Sequence, residues 1–109
     1  MKIIRALAEE EIELTKHLLS LIPYFKKGLP KKARTMYDGE MGSISFDLDG
    51  KAEFGKVLIE AEYSDTDGAN VLITLTEDEN GNLFELDYWK TDFTKLVEYP
   101  SPEKIKILS

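Results

Sequence analysis

The sequence predicts an α+β fold, with one N-terminal amphipathic helix packed on an antiparallel meander sheet of about five strands. Three observations lead there. Asx-Gly pairs recur at Asp38-Gly39, Asp49-Gly50, Asp67-Gly68 and Asn80-Gly81. Each pair separates runs that alternate apolar and polar residues, and Asn or Asp before Gly accepts the positive φ of tight primed hairpin turns. Ahead of them lies one segment of helical period. The 109 residues suffice for one hydrophobic core, so 1–109 is read as a single domain.

The helix is expected over about 9–22. At about 100° per residue, Ile12, Leu14, Leu18, Leu19, Leu21 and Ile22 share one side, while Glu9, Glu13, Lys16 and Ser20 take the other. Glu11 projects into the apolar arc. As the third helical residue its carboxylate reaches back to the free amides of the first turn, so it reads as a capping glutamate. Pro23 drives the preceding residue out of the α region and ends the helix.

Residues 23–35 hold Lys26, Lys27, Lys31, Lys32 and Arg34 without an acid, broken by Pro23, Gly28 and Pro30, and read as a basic loop. Tyr24 and Phe25 beside lysines suit phosphate contacts and base stacking, but the chain as a whole is acidic, and a solvated connection explains the same residues; no nucleic-acid partner is expected.

From about residue 34 to 99 the period falls to two. Ile44, Phe46 and Leu48 alternate with polar neighbours, as do Val57, Ile59, Ala61 and Tyr63, then Val71, Ile73 and Leu75, then Phe84, Leu86 and Tyr88. A short strand near Arg34–Tyr37 completes the five. One sheet face is apolar, and the helix is its natural cover. Thr91–Tyr99 reads as an irregular return anchored by Phe93, Leu96 and Val97. After Pro100 and Pro102, Ile105 and Ile107 alternate with Lys104 and Lys106, which predicts a C-terminal edge strand at about 103–108.

Composition narrows the function classes. Hydrophobic residues at 42% argue for a folded chain despite a net charge of -7. With no cysteine, disulfides, thiolate nucleophiles and Cys-ligated zinc are excluded. No run approaches the roughly 20 apolar residues of a membrane span, and the start lacks a secretory pattern, so a cytoplasmic location without membrane association is expected. His17 is the sole histidine, and no GxSxG, HExxH or phosphate-cradling glycine loop occurs. No catalytic residue and no cofactor is predicted.

Charge is segregated along the chain. Residues 1–37 hold eight Lys and Arg against four acids, whereas residues 38–99 hold four against sixteen. Strand pairing places Glu60, Glu62, Glu85 and Asp87 across one exposed face with Trp89 at its margin, beside Leu58. Three readings stand: a plain solvated face, a docking surface for a basic protein partner with Trp89, Tyr63 or Tyr88 as anchors, and a carboxylate site for catalysis, a small ligand or a metal. Asp47-Leu48-Asp49-Gly50 and Asp65-Thr66-Asp67-Gly68 imitate calcium loops. They sit at expected turns and lack the closing Glu and flanking helices, so no metal ligand is assigned.

Several segments together resemble a known type. These are Arg5-x-Leu7 before the Glu11 helix, then Asp38-Gly39-Glu40-Met41-Gly42-Ser43, Phe54-Gly55-Lys56, Glu60-Ala61-Glu62-Tyr63, and Leu83-Phe84-Glu85-Leu86-Asp87-x-Trp89-Lys90-x-Asp92-Phe93. The chain is similar to a family of small uncharacterised bacterial domains with a DGGMGS-type signature and a WKxDF segment. Glu40 stands where that pattern has a glycine, and Ala8 where it has a hydroxyl cap. The resemblance implies no activity. Met41 between Gly39 and Gly42 reads as a tight backbone turn ahead of a buried strand. The residues favour a non-catalytic interaction module, immunity-type in its most specific form, over an unrecognised enzyme or ligand-binding domain using carboxylates near Trp89.

Overall fold

The computed structural model describes residues 3–36 and 41–108. In chain order its elements are β1 (Ile4–Ala6), α1 (Glu9–Ser20), β2 (Lys32–Thr35), β3 (Ile44–Ser45), β4 (Phe54–Ser64), β5 (Asn70–Asp78), β6 (Leu83–Lys90), a 3₁₀ turn (Pro102–Lys104) and β7 (Lys106–Ile107). The class is α+β as predicted, but the described residues form seven strands in one antiparallel sheet, ordered β1-β2-β3-β6-β5-β4-β7.

Two Asx-Gly pairs make hairpins. Asp67-Gly68 joins β4 to β5, and Asn80-Gly81 joins β5 to β6. Neither is the two-residue primed turn expected. Asp65 N–H donates to Ala69 O at 2.8 Å and Asp78 N–H to Asn82 O at 2.8 Å, so each closes a three-residue loop. In such loops a single position must turn left-handed, and Gly68 and Gly81 take it at φ 87° and 81°. The carboxylate of Asp78 stabilises its loop by accepting from Asn80 N–H and Asn82 N–H.

The meander is interrupted at Asp49-Gly50. β3 pairs with β6, as Ile44 opposite Leu86, and not with β4. Residues 46–53 therefore cross from one side of the β6-β5-β4 hairpins to the other. Three strand spacings amount to about 14 Å, well within what eight extended residues reach. Strand β3 keeps only Ile44 and Ser45, so Phe46 and Leu48 belong to this crossing. The pair Asp38-Gly39, with Tyr37 and Glu40, lies outside the described residues.

Among the described residues a strand precedes the helix: β1 pairs with β2, placing Ile4 opposite Arg34. The basic segment read as a loop over 23–35 accordingly ends in β2, which starts at Lys32. Helix α1 stops at Ser20, two residues before the predicted end, because the chain tightens there. Leu21 N–H bonds to Leu18 O and Ile22 N–H to Leu19 O, each three residues back. At the other end Ala8 offers no capping side chain, and Glu11 supplies the cap, its Oε1 accepting Ala8 N–H at 2.7 Å.

Leu14, Leu18 and Ile22 of the helical segment, with Leu7, complete a core whose floor is the inner sheet face. Register aligns that floor in rows: Ile44, Leu86, Leu75 and Ile59, then Tyr88, Ile73 and Ala61, then Val71 and Tyr63. Burying one such aliphatic side chain stabilises by about 1.5–3 kcal/mol. Tyr63 and Tyr88, expected as surface anchors, lie in this core at 4% and 1% exposure. Leu58, expected at the outer margin, is buried beside a register shift in β4. No described helix is long and apolar enough to cross a membrane.

Candidate functional site

On the opposite face of the sheet, register brings the predicted acids into neighbouring rows. Glu60 of β4, Thr74 of β5 and Asp87 of β6 stand directly opposite one another. In the next row stand Lys106, Glu62, Leu72 and Trp89. A third row runs from Arg34 through Ser45 to Glu85. Within a row, adjacent strands are about 4.8 Å apart, and successive rows on one face are roughly 7 Å apart.

The acidic band is thus bordered by cations: Arg34 across from Glu85 by way of Ser45, and Lys106 beside Glu62. Sequence spacing alone does not show this, because both cations lie far along the chain from the carboxylates they face. Half-burial raises the Glu85 carboxyl above its ordinary range, and the charge of Asp87 adds to the effect, while Arg34 opposes it. Asp87 accepts from Ser43 Oγ at 2.9 Å, and the same hydroxyl accepts Tyr88 N–H at 2.9 Å. Glu62 accepts from Asn70 Nδ2 at 3.1 Å.

Met41-Gly42-Ser43 is built into this arrangement. Gly42 holds φ 96°, and Met41, buried, receives Lys90 N–H on its sulfur at 3.3 Å. The segment is a turn that delivers Ser43 to the start of the face.

Trp89 closes the row at one end, 49% exposed. Phe93 stands against it edge-to-face, ring centroids 5.1 Å apart at 80°. Both Phe93 and Val97, expected as anchors of the return segment, are largely exposed at 65% and 64%, whereas Leu96 packs on the core. Phe93 also adopts φ 62°, the left-handed region that a bulky residue rarely enters. Its N–H bonds back to Lys90 O at 2.9 Å, and Asp92 Oδ1 accepts both the amide and the hydroxyl of Thr94.

What fixes that segment lies on the inner side. Lys90 follows Trp89 and therefore points the other way, fully buried, its ammonium bonded to Asp65 at 2.9 Å, Asp67 at 2.6 Å and Lys95 O at 2.9 Å. Asp65 also accepts the amides of Thr66, Val97 and Glu98. Burial alone would raise the Asp65 carboxyl. The Val97 amide, the Lys90 ammonium and the other two amides outweigh it and hold the group at about 2. The second Asp-x-Asp-Gly run is consequently an ion-pair clamp tying the β4-β5 hairpin to the end of β6 and to the return segment. In the first run, Asp47 accepts Ala52 N–H. Among the described residues no group of three or more His, Asp or Glu side chains is placed to hold a metal ion.

A second polar network lies beneath the helix start. Arg5 of β1 bonds both oxygens of Glu11, at 2.7 and 2.9 Å. Close by, Tyr88 and Tyr99 share a hydrogen bond between their hydroxyls, with rings 5.5 Å apart.

Among the described residues, two recesses are lined by groups other than the acids of the sheet face. A groove of about 440 Å³ is lined by Pro30, Phe46, Asp47, Leu48, Asp49, Asp78, Asn82 and Leu83. A cavity of about 70 Å³ lies between Glu10, Glu13 and Tyr99–Pro102. Neither is lined by Glu62, Glu85 or Asp87.

Sequence reading missed Arg34, Lys106 and Phe93 at this face, and Asp65 with Lys90 behind it. Alternation gave a usable signal for Lys90, since a residue next to the outward Trp89 must face inward. For Phe93 no signal existed, because the side of the sheet it takes depends on a left-handed backbone. Compared with known proteins, residues 4–100 match the family described as a domain of unknown function (DUF6984). No curated protein and no solved structure matches the chain.

Proposed function

We propose that this chain, which belongs to the DUF6984 family and takes no activity from that membership, is a non-catalytic interaction module whose outer sheet face docks a basic protein partner. The supporting observation is the exposed Trp89 at the end of the Glu62 row, one row from Asp87 and Glu60. Carboxylates displayed on strands steer a cationic partner and fix its register, and an aromatic beside them supplies the apolar anchor. The face uses Glu60, Glu62, Glu85, Asp87 and Trp89, with no catalytic residue and no cofactor. A sheet face suits a macromolecular partner, whereas a small ligand requires a concave site. The most specific form is an immunity-type protein that neutralises a basic toxin, with which a net charge of -7 is compatible.

The test is affinity capture from the native host with the wild type and with a variant carrying Glu60→Gln, Glu62→Gln, Glu85→Gln and Asp87→Asn. A partner retained by the wild type at moderate salt and lost by the variant supports the docking face. Equal recovery by both forms refutes it.

A further inference from the structure

We infer that Trp89 and Phe93 form a receptor for an arginine side chain of the basic partner, an inference that rests on the docking-face reading. Three observations lead to it. First, Phe93 keeps φ 62° with 65% of its surface exposed, so burial does not offset the strain of a left-handed phenylalanine. Strain that the core does not use is a mark of a ligand clamp. Second, the segment is held in place from several sides: by the Phe93 N–H bond to Lys90 O, by the Asp92 cap on Thr94, and by the buried Lys90 ammonium, which also bonds Lys95 O. The backbone beneath the aromatic pair is therefore set before any partner arrives, which lowers the cost of ordering it on binding.

Third, the surroundings are anionic. Asp87 lies two residues before Trp89 on the same face, roughly 7 Å away, and Glu62 lies in the Trp89 row about 10 Å across. A cation over an indole face is attracted by the ring quadrupole. With a carboxylate within reach, a planar guanidinium stacks on the ring and donates hydrogen bonds in its plane at the same time. An ammonium does one or the other, and it is more strongly hydrated. Since Lys106 stands beside Glu62, Asp87 is the carboxylate this receptor uses. Ser43 occupies one acceptor site of Asp87, and a carboxylate offers about four.

The chain contains one tryptophan, so tryptophan emission, excited selectively over the tyrosines, reports from this site alone. The probe is a synthetic peptide alternating glycine and arginine, compared with its citrulline and lysine counterparts, titrated by Trp89 emission and by anisotropy of labelled peptide. The arginine peptide is expected to give a saturable response, with the uncharged citrulline peptide about tenfold weaker and the lysine peptide between them. Phe93→Asn, which tolerates the left-handed backbone without a ring, is expected to weaken arginine binding several-fold while preserving the thermal midpoint. Phe93→Gly is the second variant, for use if the first unfolds. No saturable response, equal binding of the arginine and citrulline peptides, or unchanged binding by the Phe93 variants overturns the receptor. If the four-amide variant loses the peptide while the Phe93 variants keep it, the receptor falls and the docking face stands. If the peptide depends on Phe93 but host capture ignores the four carboxylates, the docking face falls and the receptor stands.

Discussion

Replacing Asp65 with alanine tests the clamp that positions the Trp89 segment. Asp65 is 4% exposed and accepts four donors: the Lys90 ammonium and the amides of Thr66, Val97 and Glu98. Removing one partner of a buried ion pair costs about 3–5 kcal/mol, because the other charge stays buried. Lys90 retains Asp67 and Lys95 O, which places the cost near the lower bound, about 3 kcal/mol. At roughly 4 °C per kcal/mol for a chain of this size, the thermal midpoint is expected to fall by about 12 °C. Asp65→Asn keeps one acceptor oxygen and is expected to lose about half as much.

The clamp has a matching pH signature. A carboxyl held at about 2 when folded, and near 4 when unfolded, contributes stability that is complete above pH 4 and lost as pH falls toward 2. The assay is urea unfolding followed by circular dichroism at pH 7 and across pH 2–5. The alanine variant is expected to flatten the acid limb as well as lower the plateau. A loss below about 1 kcal/mol at pH 7, or an unchanged acid limb, refutes the clamp. Asp65→Leu combined with Lys90→Met removes both charges and is expected to be more stable than Asp65→Ala alone.

Other expectations follow from the same geometry. Gly42→Val puts a β-branched residue at φ 96° and is expected to cost about 2 kcal/mol in chemical denaturation; a cost under about 0.5 kcal/mol would count against the turn reading of Met41-Gly42-Ser43. Burial raises the phenols of Tyr63, Tyr88 and Tyr99; Asp65 adds to it for Tyr63 and Tyr99 for Tyr88, while the bond from Tyr88 opposes it for Tyr99. Their neutral forms support the fold below about pH 10, and that support is lost as pH rises through the folded values, so stability should drop at alkaline pH with Tyr63→Phe less affected. Burial, then Asp87, raises the Glu85 carboxyl, so its charge opposes folding at neutral pH; Glu85→Gln should raise the thermal midpoint slightly at pH 7 and leave it unchanged below about pH 4.

How much of the fold was legible follows the range of the forces involved. The helix, strands β4, β5 and β6, and the two hairpins are local: alternation and an Asx-Gly pair act within a few residues, and each element appears at the expected place. Glu11 was legible as a cap for the same reason, since it sits three residues from Ala8. Strand β1 was not, because three residues carry no period and it exists only through pairing with β2; the strand expected over Ile44, Phe46 and Leu48 is present but keeps only Ile44 and Ser45, as β3. The meander failed at Asp49-Gly50 because an Asx-Gly pair specifies a turn and not which strand the chain joins afterwards. Tyr63 and Tyr88 belonged inside by their own alternation, which the reading of them as surface anchors beside Trp89 set aside.

The sequence by itself determined the α+β class, the helix, the hairpins and the outward display of Glu60, Glu62, Glu85, Asp87 and Trp89, since periods of two and 3.6 residues decide which face a side chain takes. Tertiary structure decided what stands beside those groups. Arg34 and Lys106 border the acids, the Lys90–Asp65 clamp fixes the segment behind Trp89, and a left-handed backbone turns Phe93 outward against the indole. Each depends on residues distant in the chain, or on one backbone angle, brought into place only when the sheet closes over its core. The Asx-Gly turns are local chemistry, and the surroundings of the acidic face are a property of the assembled sheet.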